Sequence, residues 1–191
     1  MTDQPVIAQE PIASTNPEPA SFAVDMSEDQ AFVGLKAFLF LITGVEISQG
    51  QLNRVPEPGN TQGHDFIIMT ALRRVRLATN YRETVAADIP SAILVQQATR
   101  IDIQLDVYGP QSTNYGQAIT TLFRDDFGCD FLSPYGIQPL YCDDGRQMPL
   151  VNGEEQYEAR WMILASLQAN PAVSTPAQFA DTVAANIVEV A

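Results

Sequence analysis

Lysine is nearly missing from this sequence: Lys36 is the only one in 191 residues, and ten basic residues stand against 23 acidic ones for a formal net charge of −13. A protein that grips nucleic acid by its phosphates needs clustered lysine and arginine, so backbone binding of DNA is excluded and contact with DNA should be repulsive. Histidine occurs once, at His64 beside Asp65. A Ser-His-Asp catalyst would also need a nucleophile on a turn of the G-x-S-x-G kind, and none occurs. Neither G-x-x-x-x-G-K nor G-x-G-x-x-G is present, which removes the usual phosphate cradles. The two cysteines, Cys129 and Cys142, have no histidine near them in sequence, whereas zinc takes three or four ligands at short paired spacings. Two free or buried thiols are expected, as a reducing cytoplasm keeps them. The most apolar window, 31–45, is too short to span a bilayer and contains Lys36. The opening MTDQPVIAQEPIAS has no basic region followed by an apolar stretch, so no signal peptide is expected.

Charged residues make up only 17% of the chain, which leaves Gln, Asn, Ser and Thr to form much of the polar surface, as in a subunit whose faces are covered by neighbours. The hydrophobic fraction of 46% suffices for one ordinary domain. Carboxylates are the remaining chemistry. Asp102 and Asp106 share one side of a strand pattern, Asp125 and Asp126 close a helix pattern, and Asp143-Asp144-Gly145 is a turn signature. Hard cations require such oxygen ligands, yet none of these pairs has a lysine beside it to stabilise a leaving phosphate. Solvated carboxylates are the plainer reading. An acidic metal-dependent nuclease or hydrolase built on Asp102 and Asp106 is the alternative.

Residues 1–26 carry Pro5, Pro11, Pro17 and Pro19 with no sustained period, and read as an extended arm, either held by a neighbour or without fixed structure. Residues 27–191 read as one domain. Ser27 and Gln30 form a capping box that opens a helix over about 28–42, with Phe32, Leu35, Leu39 and Ile42 on its inner stripe. Val33, Phe38, Phe40 and Leu41 fall outside that stripe, so this helix needs cover on more than one side. Residues 47–63 read as a loop, 65–71 as β-like, and 72–78 as a strand edge holding Arg73, Arg74 and Arg76, the only basic cluster. That cluster is either a patch for an acidic neighbour or a solvated edge.

The clearest strand is Arg100–Tyr108, with Ile101, Ile103, Leu105 and Val107 on a buried side and Asp102, Gln104, Asp106 and Tyr108 on a wet one. Gly109-Pro110 ends it, Asn114 opens an amphipathic helix through Phe123, and Gly128 is placed to stop that helix. Residues 130–151 read mostly as loop with short strands such as 138–141. Over Glu154–Gln168 the composition favours a helix capped by Asn152, while Tyr157, Ala159, Trp161, Ile163, Ala165 and Leu167 alternate as in a strand. Periodicity leaves both open. Asn170-Pro171 ends the element, and 178–190 is a last apolar segment with a strand expected from Asn186. The class is α/β (α+β): a single β-sheet packed by two or three helices.

In order, HDFIIMTALRRVRLATN, ATRIDIQLDVYGP with NYGQAITTLFRDDF, PLYCDDGRQMPLVNGEEQYEARWMILASLQANP and PAQFADTV follow a helix that begins after a variable arm. In this order and spacing, which covers most of residues 27–184, the chain resembles the bacteriophage neck and tail-terminator proteins. The resemblance implies a non-catalytic subunit of a ring, commonly six-fold, on the last ring of the tail tube, and it makes Glu154–Gln168 a long strand. It implies as partners other copies of the chain, the tail tube protein, a sheath if the tail contracts and the head–tail connector, with genomic DNA passing through the ring. No cofactor and no membrane are implied, and the location is the virion after assembly in the host cytoplasm. A neighbouring collar or head-completion ring is the alternative within the same class. On this reading Arg73, Arg74, Arg76, Phe32, Phe40 and the arm are candidates for subunit contacts, and Asp102 and Asp106 for the wall of a channel.

Overall fold

A computed structural model describes residues 24–50, 64–85, 92–148, 150–151 and 157–176. The N-terminal arm up to residue 23, most of the expected loop at 47–63, the proposed cap Asn152 and the segment 178–190 lie outside the described residues. In chain order the elements are β1 (Val24–Asp25), α1 (Glu28–Thr43), β2 (Glu46–Gln49), β3 (Phe66–Arg76), β4 (Tyr81–Val85), β5 (Ala92–Gln96) and β6 (Thr99–Tyr108). They continue as α2 (Ser112–Leu122), α3 (Asp126–Leu132), a 3-10 turn (Ser133–Tyr135), β7 (Ile137–Cys142), β8 (Arg146–Gln147), β9 (Leu150–Val151), β10 (Tyr157–Glu158), β11 (Arg160–Ala169) and β12 (Ala172–Pro176).

The class is mixed α/β, mostly sheet with three helices, as expected. The main sheet runs β2-β3-β6-β11-β7, with β8 also on β11; β2 is parallel to β3 and the other pairs are antiparallel. A four-stranded sheet, β1-β12-β5-β4, adds to the single sheet that was expected. Its order follows from the first. β4 follows β3, β5 leads into β6 and β12 follows β11, so β4-β5-β12 is the same three-ribbon order continued past a break. Leu77 N–H to Ala98 O (2.9 Å) and Gln97 N–H to Pro171 O (3.0 Å) stitch that break. Pro171 has no N–H of its own for a ladder, which helps to interrupt the third ribbon there.

The helices cover one face of the main sheet. Ile67 and Met69, Ile101, Ile103, Leu105 and Val107, and Ile163, Ala165 and Leu167 point into this layer and are buried. Phe38 of α1 is central, with its ring 6.2 Å from Phe123, 6.5 Å from Phe127 and 5.9 Å from Phe131. Both ends of α1 follow from sequence. Ser27 Oγ accepts from Gln30 N–H (3.4 Å) while Ser27 N–H donates to Gln30 Oε1 (2.6 Å), and Gly44 closes the helix at φ 69° with its N–H on Phe40 O (2.8 Å).

Four local expectations are corrected. Ile47 is in β2 and buried, because a parallel neighbour on β3 satisfies a stretch that reads as loop in isolation. α2 begins at Ser112, two residues before Asn114, whose side chain donates to Gln111 Oε1 (2.7 Å) instead of capping. Gly128 stops nothing: it lies inside α3, where a Cβ would sit 2.7 Å from Phe123 O, so glycine is there for close approach to the end of α2. Asp125 and Asp126 open α3 instead of closing α2, with Asp125 Oδ1 accepting from Phe127 N–H (3.1 Å). The open choice at 154–168 resolves to strand over Arg160–Ala169, because β11 is paired to β6 on one side and to β7 and β8 on the other.

Candidate functional site

Two surfaces are left over when the core is built: the sheet face that no described helix covers, and the outer side of α1. The first is shaped by an irregularity in β3. Ala71 pairs with Ile103 and Arg73 with Asp102, so Leu72 is the extra residue of a β-bulge. Without it, Arg73 would stand opposite Ile101 on the core side. The bulge places Arg73 over Asp102 on the open face and sends Arg74 to the helix side, where its Nε lies 3.1 Å from Glu28 Oε2 in the first turn of α1. With the Gln97 amide oriented so that its oxygen faces the guanidinium, Arg76 Nη2 donates to it (2.6 Å). The basic cluster is thus divided between two faces and drawn into contacts inside the subunit.

Across the open face, β3, β6 and β11 set Arg73, Asp102 and Ser166 in one row and Ile68, Asp106 and Met162 in another. Asp102 is only 2% exposed, so the wet side expected for it is dry. Arg73 Nε donates to its Oδ2 (2.6 Å), Ser166 Oγ donates to its Oδ1 (2.6 Å), and Arg100 Nε is 3.0 Å from Oδ1. Burial pushes the Asp102 carboxyl upward, but the hydrogen bonds from Ser166 and Arg73 and the charges of Arg100 and Arg73 outweigh it and hold the group below the usual carboxylate range. Asp106 receives Arg160 through Nε (3.0 Å) and Nη2 (2.8 Å) and Gln104 through Nε2 (2.8 Å). Arg160 also lies 5.6 Å above the Tyr108 ring, which stacks on Phe66 at 4.5 Å.

Both aspartates are therefore paired with arginine inside the subunit. Among the described residues no three His, Cys, Asp or Glu side chains gather as a metal site would require. His64 is exposed, and Asp65 is committed elsewhere, its Oδ1 accepting from Gln111 N–H (2.9 Å) at the start of α2. Burial, with Asp143 and Asp144 nearby, raises the Cys142 thiol to about 12, and a hydrogen bond to Asp143 raises the Tyr141 hydroxyl. No described helix is long and apolar enough to cross a membrane.

The unsatisfied part of the open face is a shallow depression floored by Leu72, Met162 and Leu164 and edged by Asp143, Asp144 and Arg146. Sequence reasoning missed it, although a signal existed: Met162 and Leu164 alternate with Ile163 and Ala165, so β11 is apolar on both sides, the pattern of a strand covered on both faces. The second surface is the outer side of α1, where Val33, Phe40 and Leu41 are 62%, 60% and 53% exposed. Of the two helix residues expected at subunit contacts, Phe40 is on this side and Phe32 is a core residue at 3% exposure.

No curated protein matches this chain. A family model described as phage neck terminator protein matches residues 30–190, and the chain belongs to that family, which gives it a structural role at the neck of a phage virion.

Proposed function

We propose, from that membership, that this chain is a non-enzymatic ring subunit, six copies of which terminate the tail tube and join it to the head–tail connector. The family match across residues 30–190 carries the reading. Two features of the subunit support it. Apolar surface remains on the helix layer and on the opposite sheet face, and different patches on two sides of one subunit are what a head-to-tail ring uses. The charge suits a conduit: six copies carry 6 × −13 = −78 formal charges, and a wall of that sign does not hold DNA.

Partners on this reading are further copies, the tail tube protein, a sheath where the tail contracts, and the connector proteins above. A phage lacking the protein tests the assignment. Loss of a terminator gives tails of abnormal length beside filled heads, whereas normal-length tails beside leaking heads point to a head-completion ring. Cleavage of DNA by the purified protein with Mg²⁺, abolished in Asp106→Ala, would establish the nuclease alternative in its place.

A further inference from the structure

The ring reading leaves open which surfaces meet, and the two leftover patches answer each other chemically. On α1, Asp29, Val33, Lys36 and Phe40 follow at i, i+4, i+7 and i+11, which is one side of a helix, and all four are exposed. Acid and base on this stripe are separated by ~10 Å along the axis, at 1.5 Å per residue. The depression on the sheet face carries charges of both signs beside apolar Leu72, Met162 and Leu164: Asp143 and Asp144 would receive a base, and Arg146 an acid. Among the described residues, Asp29, Lys36, Asp144 and Arg146 have no ion pair within the subunit.

We propose that the outer stripe of α1 docks into the sheet-face depression of a second copy, with Lys36 meeting Asp143 and Asp144, Asp29 meeting Arg146, and Val33 and Phe40 covering Leu72, Met162 and Leu164. This deepens the ring reading and rests on it. The occupant is a second copy because both halves of the match are on this one chain. A protein of charge −13 repels its own kind at a distance, so self-association needs local opposite charges, and the chain's single lysine stands between the exposed Val33 and Phe40. The geometry also propagates. Helix layer and open sheet face are opposite sides of the subunit, so a copy that receives a helix still offers its own to the next, a head-to-tail contact that makes a ring where its rotation closes. Strand alternation already puts Leu72 on the open face, and the bulge there brings Arg73 to the same face over Asp102.

A single lysine makes the test simple, since Lys36 carries the one side-chain amine of the chain. Equal amounts of ¹⁴N- and ¹⁵N-labelled full-length protein are mixed at high concentration and treated with a water-soluble carbodiimide, which joins an amine to a carboxylate as an amide. Mass spectrometry then reads which carboxylates couple to Lys36 and whether the coupled peptides are of mixed isotope. Mixed-isotope coupling of Lys36 to Asp143 or Asp144 is expected. Lys36→Glu should weaken self-association by about tenfold, and Lys36→Glu with Asp144→Lys should restore it. Oligomers in which Lys36 couples only to other carboxylates, or in which the swapped pair stays as weak as Lys36→Glu alone, overturn the docking and leave the ring reading standing. A protein that stays monomeric throughout overturns the ring reading and the docking with it.

Discussion

Asp102 shows most directly how single residues hold the open face. Its carboxylate is buried, yet it is ionised because Arg73, Arg100 and Ser166 converge on it. Asp102→Ala leaves a serine and two guanidinium groups without their partner, and because Arg73 is largely exposed the cost should be about 2–3 kcal/mol, below the range for a fully buried pair. Urea unfolding at pH 7 measures it. The pH dependence follows from the lowered folded value. The contribution is fully present above the unfolded carboxylate value of about 4 and is lost as pH falls through the folded one, so the stability gap between wild type and Asp102→Asn should narrow in acid. Cys142 makes a separate prediction: with its thiol raised to about 12, Cys129→Ser protein should react slowly with iodoacetamide at pH 8 when native and quickly in urea. Alternation in Arg100–Tyr108 correctly puts Asp102 and Asp106 opposite the core side chains, but not that this side is dry. Its partners are 29, 54 and 64 residues away along the chain, and the bulge that aligns Arg73 has no glycine or proline to announce it.

At the scale of elements, the best-read features are those fixed by neighbours in sequence. The capping box opens α1 where the sequence places it because its hydrogen bonds are local. Ser27→Ala should therefore destabilise the protein by about 1 kcal/mol, read as a lowered melting temperature. The α2–α3 junction was misread for the opposite reason. Gly128 looks like a helix stop, but its role is set by the carbonyls of Leu122 and Phe123 approaching from the preceding helix. Gly128→Ala should cost about 1–3 kcal/mol through overpacking, more than removal of the α1 cap, and calorimetry of the two variants side by side checks that order. β11 is the instructive ambiguity. A helix-compatible composition becomes strand because β6, β7 and β8 satisfy its backbone from both sides, information that periodicity within the segment does not contain.

For the whole molecule, acidity, sparse charge and apolar surface on two opposite sides all support the proposed reading of a subunit covered by its neighbours. The α/β class was legible in sequence, and so was a first helix too apolar for one side of cover. The sheet-face depression was not, because it forms where β3, β6 and β11 meet residues 143–146. Imaging of the purified full-length protein by negative-stain electron microscopy, with native mass spectrometry on the same sample, tests the ring most directly. The account predicts closed rings, with a six-fold assembly near 6 × 20.9 = 125 kDa. Dispersed 20.9 kDa monomers at high concentration would contradict it.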